Sequence, residues 1–243
     1  FEAYTRGADI YAAADHQRRT WSIGSQGGMI RPLVLSLLLP ENSAMATGVA
    51  LEHQNLTHRS ENVSAGVASL IVFLHSLIRG GEKRRLLREL AKRTYPPKIS
   101  GRDLFSAYKA HKGPGNIPKE IMWRYHTELA DEPIDLDELL SDENDRSVAP
   151  ARFATACYPE HGLPLMVYLL GRYRFDPTQT LIASANMGGD NVHRGMILGL
   201  LAGAASDKMP PSLTQGLMEY RAISAEIDAF VDFVFEDPEA HKI

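Results

Sequence analysis

The chain is poor in cysteine. Cys157 is the only one in 243 residues, so no intrachain disulfide can form, and the usage suits a reducing compartment. An excess of basic charge is also missing. Lysine and arginine number 26 against 30 aspartates and glutamates, a formal net charge of −4. A basic footprint is the first requirement of a nucleic-acid binder, so nucleic acid is not an expected partner. A membrane span needs about 18 consecutive apolar residues. The nearest approach, residues 63–78, is interrupted by Ser64, Ser69, His75 and Ser76, so no membrane partner is expected. The first residues, FEAYTRGADIYAAADHQ, lack the layout of a secretory signal, and a cytoplasmic location is the expectation. Internal repeats, low-complexity tracts and alternating strand patterns are absent as well.

Helical periodicity fills the chain instead. Hydrophobic residues make up 44% of it and charged ones 23%, ordinary globular usage, and 243 residues suffice for a real core. Val63, Val67, Leu70, Ile71, Leu74, Leu77 and Ile78 form one apolar stripe, with Ser60 placed to cap the helix and Gly80-Gly81 to stop it. Leu165, Met166, Leu169, Leu170 and Tyr173 form a second stripe, with Pro164 near its first turn. Ile223, Ile227, Phe230, Val231 and Val234 form a third, on a helix ending near Asp237-Pro238. Further helices are predicted over 2–19, 43–55, 82–93, 102–111, 118–129 and 177–186. The basic run Lys83, Arg84, Arg85, Arg88, Lys92 and Arg93 lies opposite Leu86, Leu87 and Leu90. It reads as a solvated face, with an anion or partner patch as the alternative. Residues 130–150 are acidic and polar, and read as an exposed excursion of the same domain.

One segment breaks the helical rules. Gly195, Gly199 and Gly203 recur every fourth residue beside Val192, Met196, Ile197, Leu200 and Leu201. Each glycine costs a helix about 1 kcal/mol relative to alanine. Three on one face predict a neighbouring helix at close range and a buried, central position. Before them lies Asn186-Met187-Gly188-Gly189-Asp190-Asn191. Paired glycines open conformations closed to other residues and let a ligand lie against the main chain. Asp190 falls at the helix start, where it either caps free N–H groups or binds a metal or ligand.

The stretch NMGGDNVHRGMILGLLAGA, Asn186 to Ala204, resembles the active-site loop and following helix of the ADP-ribosylglycohydrolase family. Typical members read Asn-x-Gly-Gly-Asp-Thr-Asp-Thr there. Two upstream blocks match in order. WSIGSQGGMIRPLVLSL resembles the family's Gly-Asn-Gly-x-x-Met-Arg-x-x-Pro segment, and LTHRSENVSAG its Thr-His-x-x-x-x-Ala block. ACYPEHGLP and GGDNVHRG resemble a less-studied branch of the family. The resemblance implies an all-α, single-domain orthogonal helix bundle over residues 1–243 that lacks an N-terminal portion. It implies a hydrolase cleaving a glycosidic bond of ADP-ribose or a related ribosyl compound, on a small-molecule or ADP-ribosylated substrate.

The same resemblance assigns roles. Gly24, Gly27, Gly28, Met29, Arg31, His58, Gly188, Gly189 and Asn191 would line the substrate. Asp190 would hold a divalent metal, magnesium or manganese, and Asp190, His193 and Glu160 would be catalytic. The departures fall on the metal. Family members also use an early Thr-Asp-Asp motif, which this chain lacks. Of the second ligand set only Asp190 survives, because Val192 and His193 stand where the second Asp and Thr would be. Val192 cannot bind a metal, and a site preferring hard oxygen ligands is compromised. Two alternatives therefore stand beside the hydrolase: a degenerate module that binds ADP-ribose or a nucleotide, and an enzyme of small-molecule metabolism on the same fold. Several residues carry two readings each. His58 bonds to local backbone or meets ligand. Arg31 pairs with a carboxylate or a phosphate. His193-Arg194 meet an anion or make a salt bridge. Cys157 is a small buried hydrophobe or, beside His161, a thiol nucleophile.

Overall fold

A computed structural model describes residues 6, 7, 9, 24–110, 124, 128–141 and 153–236. The helices predicted over 2–19 and 118–129 lie almost wholly outside the described residues. Those described form an all-α fold. Its elements are α1 (Gly27–Ser36), α2 (Ser43–Asn55), α3 (Glu61–Ile78), α4 (Lys83–Ala91), α5 (Gly101–Ala110), α6 (Leu136–Ser141), α7 (Pro159–Arg172), α8 (Pro177–Asn186), α9 (Asn191–Ala204), α10 (Pro211–Thr214) and α11 (Tyr220–Glu236). No strand occurs among the described residues; Pro97 and Leu129 make one isolated bridge.

Two helices carry the centre. α3 buries Val63, Val67, Leu70, Ile71 and Leu74, the predicted stripe, and packs against α1, α2, α4, α7 and α9. By length and composition it could cross a membrane, yet half of it is buried inside this bundle. α7 is buried from Pro164 to Leu170 without a break and meets α3, α4, α6, α8 and α9. A helix apolar all round belongs in the middle of a bundle. Pro159 opens α7, and Pro164 sits in its interior rather than near the first turn.

Local chemistry sets the ends. Asn42, Glu82 and Asp176 accept hydrogen bonds from backbone N–H groups at the starts of α2, α4 and α8. Ser60 takes the predicted cap position on α3, but its side chain makes no capping bond. Gly80, with φ 76°, ends that helix in the left-handed region. On the basic face of α4, Arg84 and Arg88 both bond to Asp137 of α6. Of the exposed excursion predicted for 130–150, residues 142–150 lie outside the described residues, and within 130–141 the exposure is only partial. Ile134, Leu136 and Leu139 are buried against the core, and α6 holds that segment to α4 and α7. Its acidic residues hid three apolar anchors.

Two further expectations are not met among the described residues. There the glycine stripe of α9 receives no close neighbour: a Cβ at Gly195 or Gly199 would meet no described atom within 4 Å, and one at Gly203 only Met209 at an ordinary 3.4 Å. Val192 and Met196, on the same side, are 65% and 52% exposed. α9 buries its other face instead, through Arg194, Ile197, Leu198, Leu201 and Ala202. Of the apolar stripe on α11, Val234 is buried while Ile223, Ile227 and Val231 are exposed, because no described helix packs along its length.

Candidate functional site

The site grows from the turn between α8 and α9. Gly188 and Gly189 both adopt positive φ, 69° and 66°, which glycine tolerates freely. Their surroundings differ. A Cβ at Gly189 would lie 2.1 Å from the Thr155 carbonyl oxygen, whereas one at Gly188 would meet nothing within 4 Å. Chain, not ligand, thus fills the space at Gly189. The Thr155 carbonyl also accepts the Asp190 N–H at 2.8 Å.

Asp190 is the N-cap of α9. Its Oδ1 accepts the His193 N–H at 3.4 Å, and its Oδ2 lies 2.9 Å from His193 Nδ1. An ionised carboxylate only accepts, so this bond places the imidazole proton on Nδ1 and leaves Nε2 as the basic nitrogen. Beneath the turn lies Arg194, fully buried. Its guanidinium donates to Ser184 Oγ, Ser184 O and Gly188 O, fixing the end of α8 and the first glycine together. Burial pushes its pKa down and the nearby Asp190 charge opposes this; arginine stays charged regardless.

A second wall comes from the start of α1. Gln26 is buried; its N–H donates to Cys157 O at 2.7 Å and its Nε2 to Ala156 O at 2.9 Å. Thr155, Ala156 and Cys157 therefore strap the α9 turn to the α1 N-terminus through three successive carbonyls. Gly162 leaves room for the Gln26 side chain, which a Cβ would meet at 2.3 Å. Two of the expected ligand glycines have a different use. A Cβ at Gly27 would lie 3.1 Å from His193 Nε2, and one at Gly28 would lie 2.6 Å from His58 Cγ. Each glycine makes room for a histidine ring.

His58 is held by its backbone. Its N–H donates to Gln54 O at 2.8 Å, and its carbonyl accepts from Gln54 Nε2. Gln54 Oε1 in turn accepts from Ser64 Oγ at 2.8 Å. The ring Nδ1 lies 3.0 Å from Thr57 Oγ1. Burial depresses the His58 pKa first, followed by the positive charges of Arg31 and His193. His58, Arg31 and His193, drawn from three parts of the chain, are thus near enough for their charges to act on one another. Arg31 is exposed and pairs with no carboxylate among the described residues. Met29 is buried against Gly66, Gly24 is buried, and Asn191 is exposed on the first turn of α9.

Glu160 stands apart. It sits in the first turn of α7, bonded to the Asn62 side chain, and burial raises its pKa. Asp190 and His193 are hydrogen-bonded to each other, whereas the side-chain partner of Glu160 is Asn62. Cys157 is half-buried and joins the strap through its carbonyl, while His161 is buried in α7.

The implied magnesium or manganese finds no matching donor set among the described residues. Among the described residues no three His, Cys, Asp or Glu side chains are grouped to hold an ion. Both Asp190 oxygens face His193, Val192 offers no donor, and the nearby charges are cationic. Gln26 and Thr155 carried no signal in the sequence, whereas Arg194, expected to meet an anion or a salt-bridge partner, instead bonds Ser184 and Gly188.

The chain matches the family model described as ADP-ribosylglycohydrolase over residues 1–241. No curated protein matches it.

Proposed function

The chain belongs to the ADP-ribosylglycohydrolase family, and on that premise we propose that it hydrolyses a glycosidic bond of ADP-ribose or a related ribosyl compound, with His193 as general base and Asp190 as its partner. The Asp190–His193 hydrogen bond carries this reading. Asp190 orients the ring and stabilises the imidazolium that forms when Nε2 takes a proton. The proton comes from the attacking water. The water oxygen bonds to the anomeric carbon, the bond to the leaving group breaks, and the leaving group gains a proton from solvent. Arg31 and His58, whose charges couple with that of His193, hold anionic oxygen of the substrate. No step is assigned to a metal, because the described donors do not form a site for one.

The absence of a three-ligand group among the described residues favours a second reading, a module that binds ADP-ribose without turning it over. Release of free ADP-ribose from a panel of N- and O-linked ADP-ribosyl compounds separates the two. The hydrolase reading expects turnover of at least one linkage. ADP-ribose binding with no turnover of any linkage selects the module.

A further inference from the structure

Glu160 borders a recess that the Asp190 turn does not use. The recess lies between α3, α7 and the chain that follows α4, and measures about 490 Å³ including its open mouth. Asn62, Ser69, Glu160 and Arg93 supply its polar groups; Leu163, Pro164 and Tyr95 are among its apolar walls. Apolar walls with a few placed polar groups are what small-molecule sites share.

The polar groups are unusual for a structural surface. Glu160 is only 8% exposed; its own backbone N–H and Asn62 bond to it, and no cation stands beside it among the described residues. A buried carboxyl without a counter-ion is costly, and an apolar residue would fill this wall at less cost. Burial raises its pKa, and the carboxyl offers acceptor oxygens, with an O–H donor beside them when it is protonated. Asn62, bonded to it, adds a carboxamide of the same kind. Arg93 lies on the same recess, exposed and in no ion pair among the described residues. The result is a donor–acceptor edge inside, apolar walls between, and a free guanidinium outside.

We propose that this recess is a second ligand site, for a small flat heterocycle that sets a ring-amide edge against Glu160 and Asn62 and an anionic group on Arg93. The anion is a phosphate, as in a mononucleotide, or a carboxylate on the ring itself. A guanidinium serves either through its planar fork. The recess uses none of His58, Arg31, Asp190 and His193, so the proposal stands whether or not those residues support hydrolysis.

Calorimetry on the full chain tests it, with uridine 5′-monophosphate and orotate as the phosphate and carboxylate probes. Ribose 5-phosphate, which lacks the ring, serves as control. At least one ring-bearing probe is expected to bind, with ribose 5-phosphate at least tenfold weaker. Arg93→Gln should weaken binding by about tenfold, the loss of one charge-assisted contact. Glu160→Gln keeps a donor and an acceptor and should stay within about threefold of the parent. Glu160→Leu, with an unchanged melting profile, should abolish binding. The proposal is overturned if neither ring probe binds at millimolar concentration. It is equally overturned if Arg93→Gln and Glu160→Leu leave affinity intact, or if Arg31→Gln abolishes binding in their place.

Discussion

Arg194→Met removes a buried cation that holds the turn carrying Asp190, and its cost can be worked from the contacts. Three guanidinium hydrogen bonds are lost, to Ser184 Oγ, Ser184 O and Gly188 O. Bonds from a charged donor contribute roughly 1.5–3 kcal/mol each, about 4.5–9 kcal/mol together. Against that stands relief from burying a charge with no hydrogen-bonded carboxylate, several kcal/mol on the order of typical desolvation penalties. Nη1 makes no hydrogen bond among the described residues, so its loss costs nothing further. The net expectation is a destabilisation of about 2–4 kcal/mol. For a chain of this size that lowers Tm by roughly 6–12 °C, read by calorimetry or circular dichroism. Arg194→Lys should fall nearly as far, because an ammonium cannot span acceptors on both sides of the turn. A Tm for Arg194→Met within about 2 °C of the parent, or above it, would refute the view that this guanidinium holds the turn.

Three further outcomes follow from named contacts. Gly188→Ala should cost only the left-handed penalty, about 1–2 kcal/mol, whereas Gly189→Ala adds a collision with Thr155 and should cost several kcal/mol more or prevent folding; equal urea midpoints for the two would contradict the packing. Gly195→Ala with Gly199→Ala should raise stability by about 1 kcal/mol per site, since each new methyl meets open space; a lower urea midpoint would mean that a helix does lie on that face. His75 is buried, its Nε2–H donating to Ser36 O and its Nδ1 accepting from Ser43 Oγ, and burial followed by Arg79 depresses its pKa below the ordinary 6.5. Burial likewise leads the depression at His58. Between the folded pKa and 6.5 the unfolded chain binds more protons, so stability rises with pH there. The contribution is complete above that window and fades as pH falls through it. Urea midpoints should drop below about pH 6.5, and His75→Gln should flatten part of the drop; a midpoint that rises on acidification would count against it.

Much of the fold was legible because burial follows period. The stripe from Val63 to Ile78 and the helices at 43–55 and 177–186 need only apolar spacing and capping residues, and the structure shows all three. Context defeated the rest. α1 was invisible as a helix because Gly27, Gly28 and Pro32 are poor helix formers, tolerated here since two histidine rings and the core require them. The same blindness affected the site. Glycines at 27, 28 and 189 signal close approach in any sequence, but not what approaches. A ligand was the natural guess, and His193, His58 and Thr155 are the occupants. Spacing did place Asp190 and His193 three residues apart at a helix start, which suffices for their hydrogen bond. It could not separate Glu160 from them, because only the packing of α7 on α3 turns that carboxyl toward Asn62. Backbone straps such as 155–157 leave no trace in side-chain pattern at all.

We propose that Asp190 and His193 act as an acid–base pair. The rate of ADP-ribose release by the parent protein and by His193→Gln, with and without EDTA, tests this. Release that survives EDTA and falls by roughly 10²–10⁴-fold in the variant is expected. Release that requires added magnesium or manganese and is unchanged by His193→Gln would contradict it.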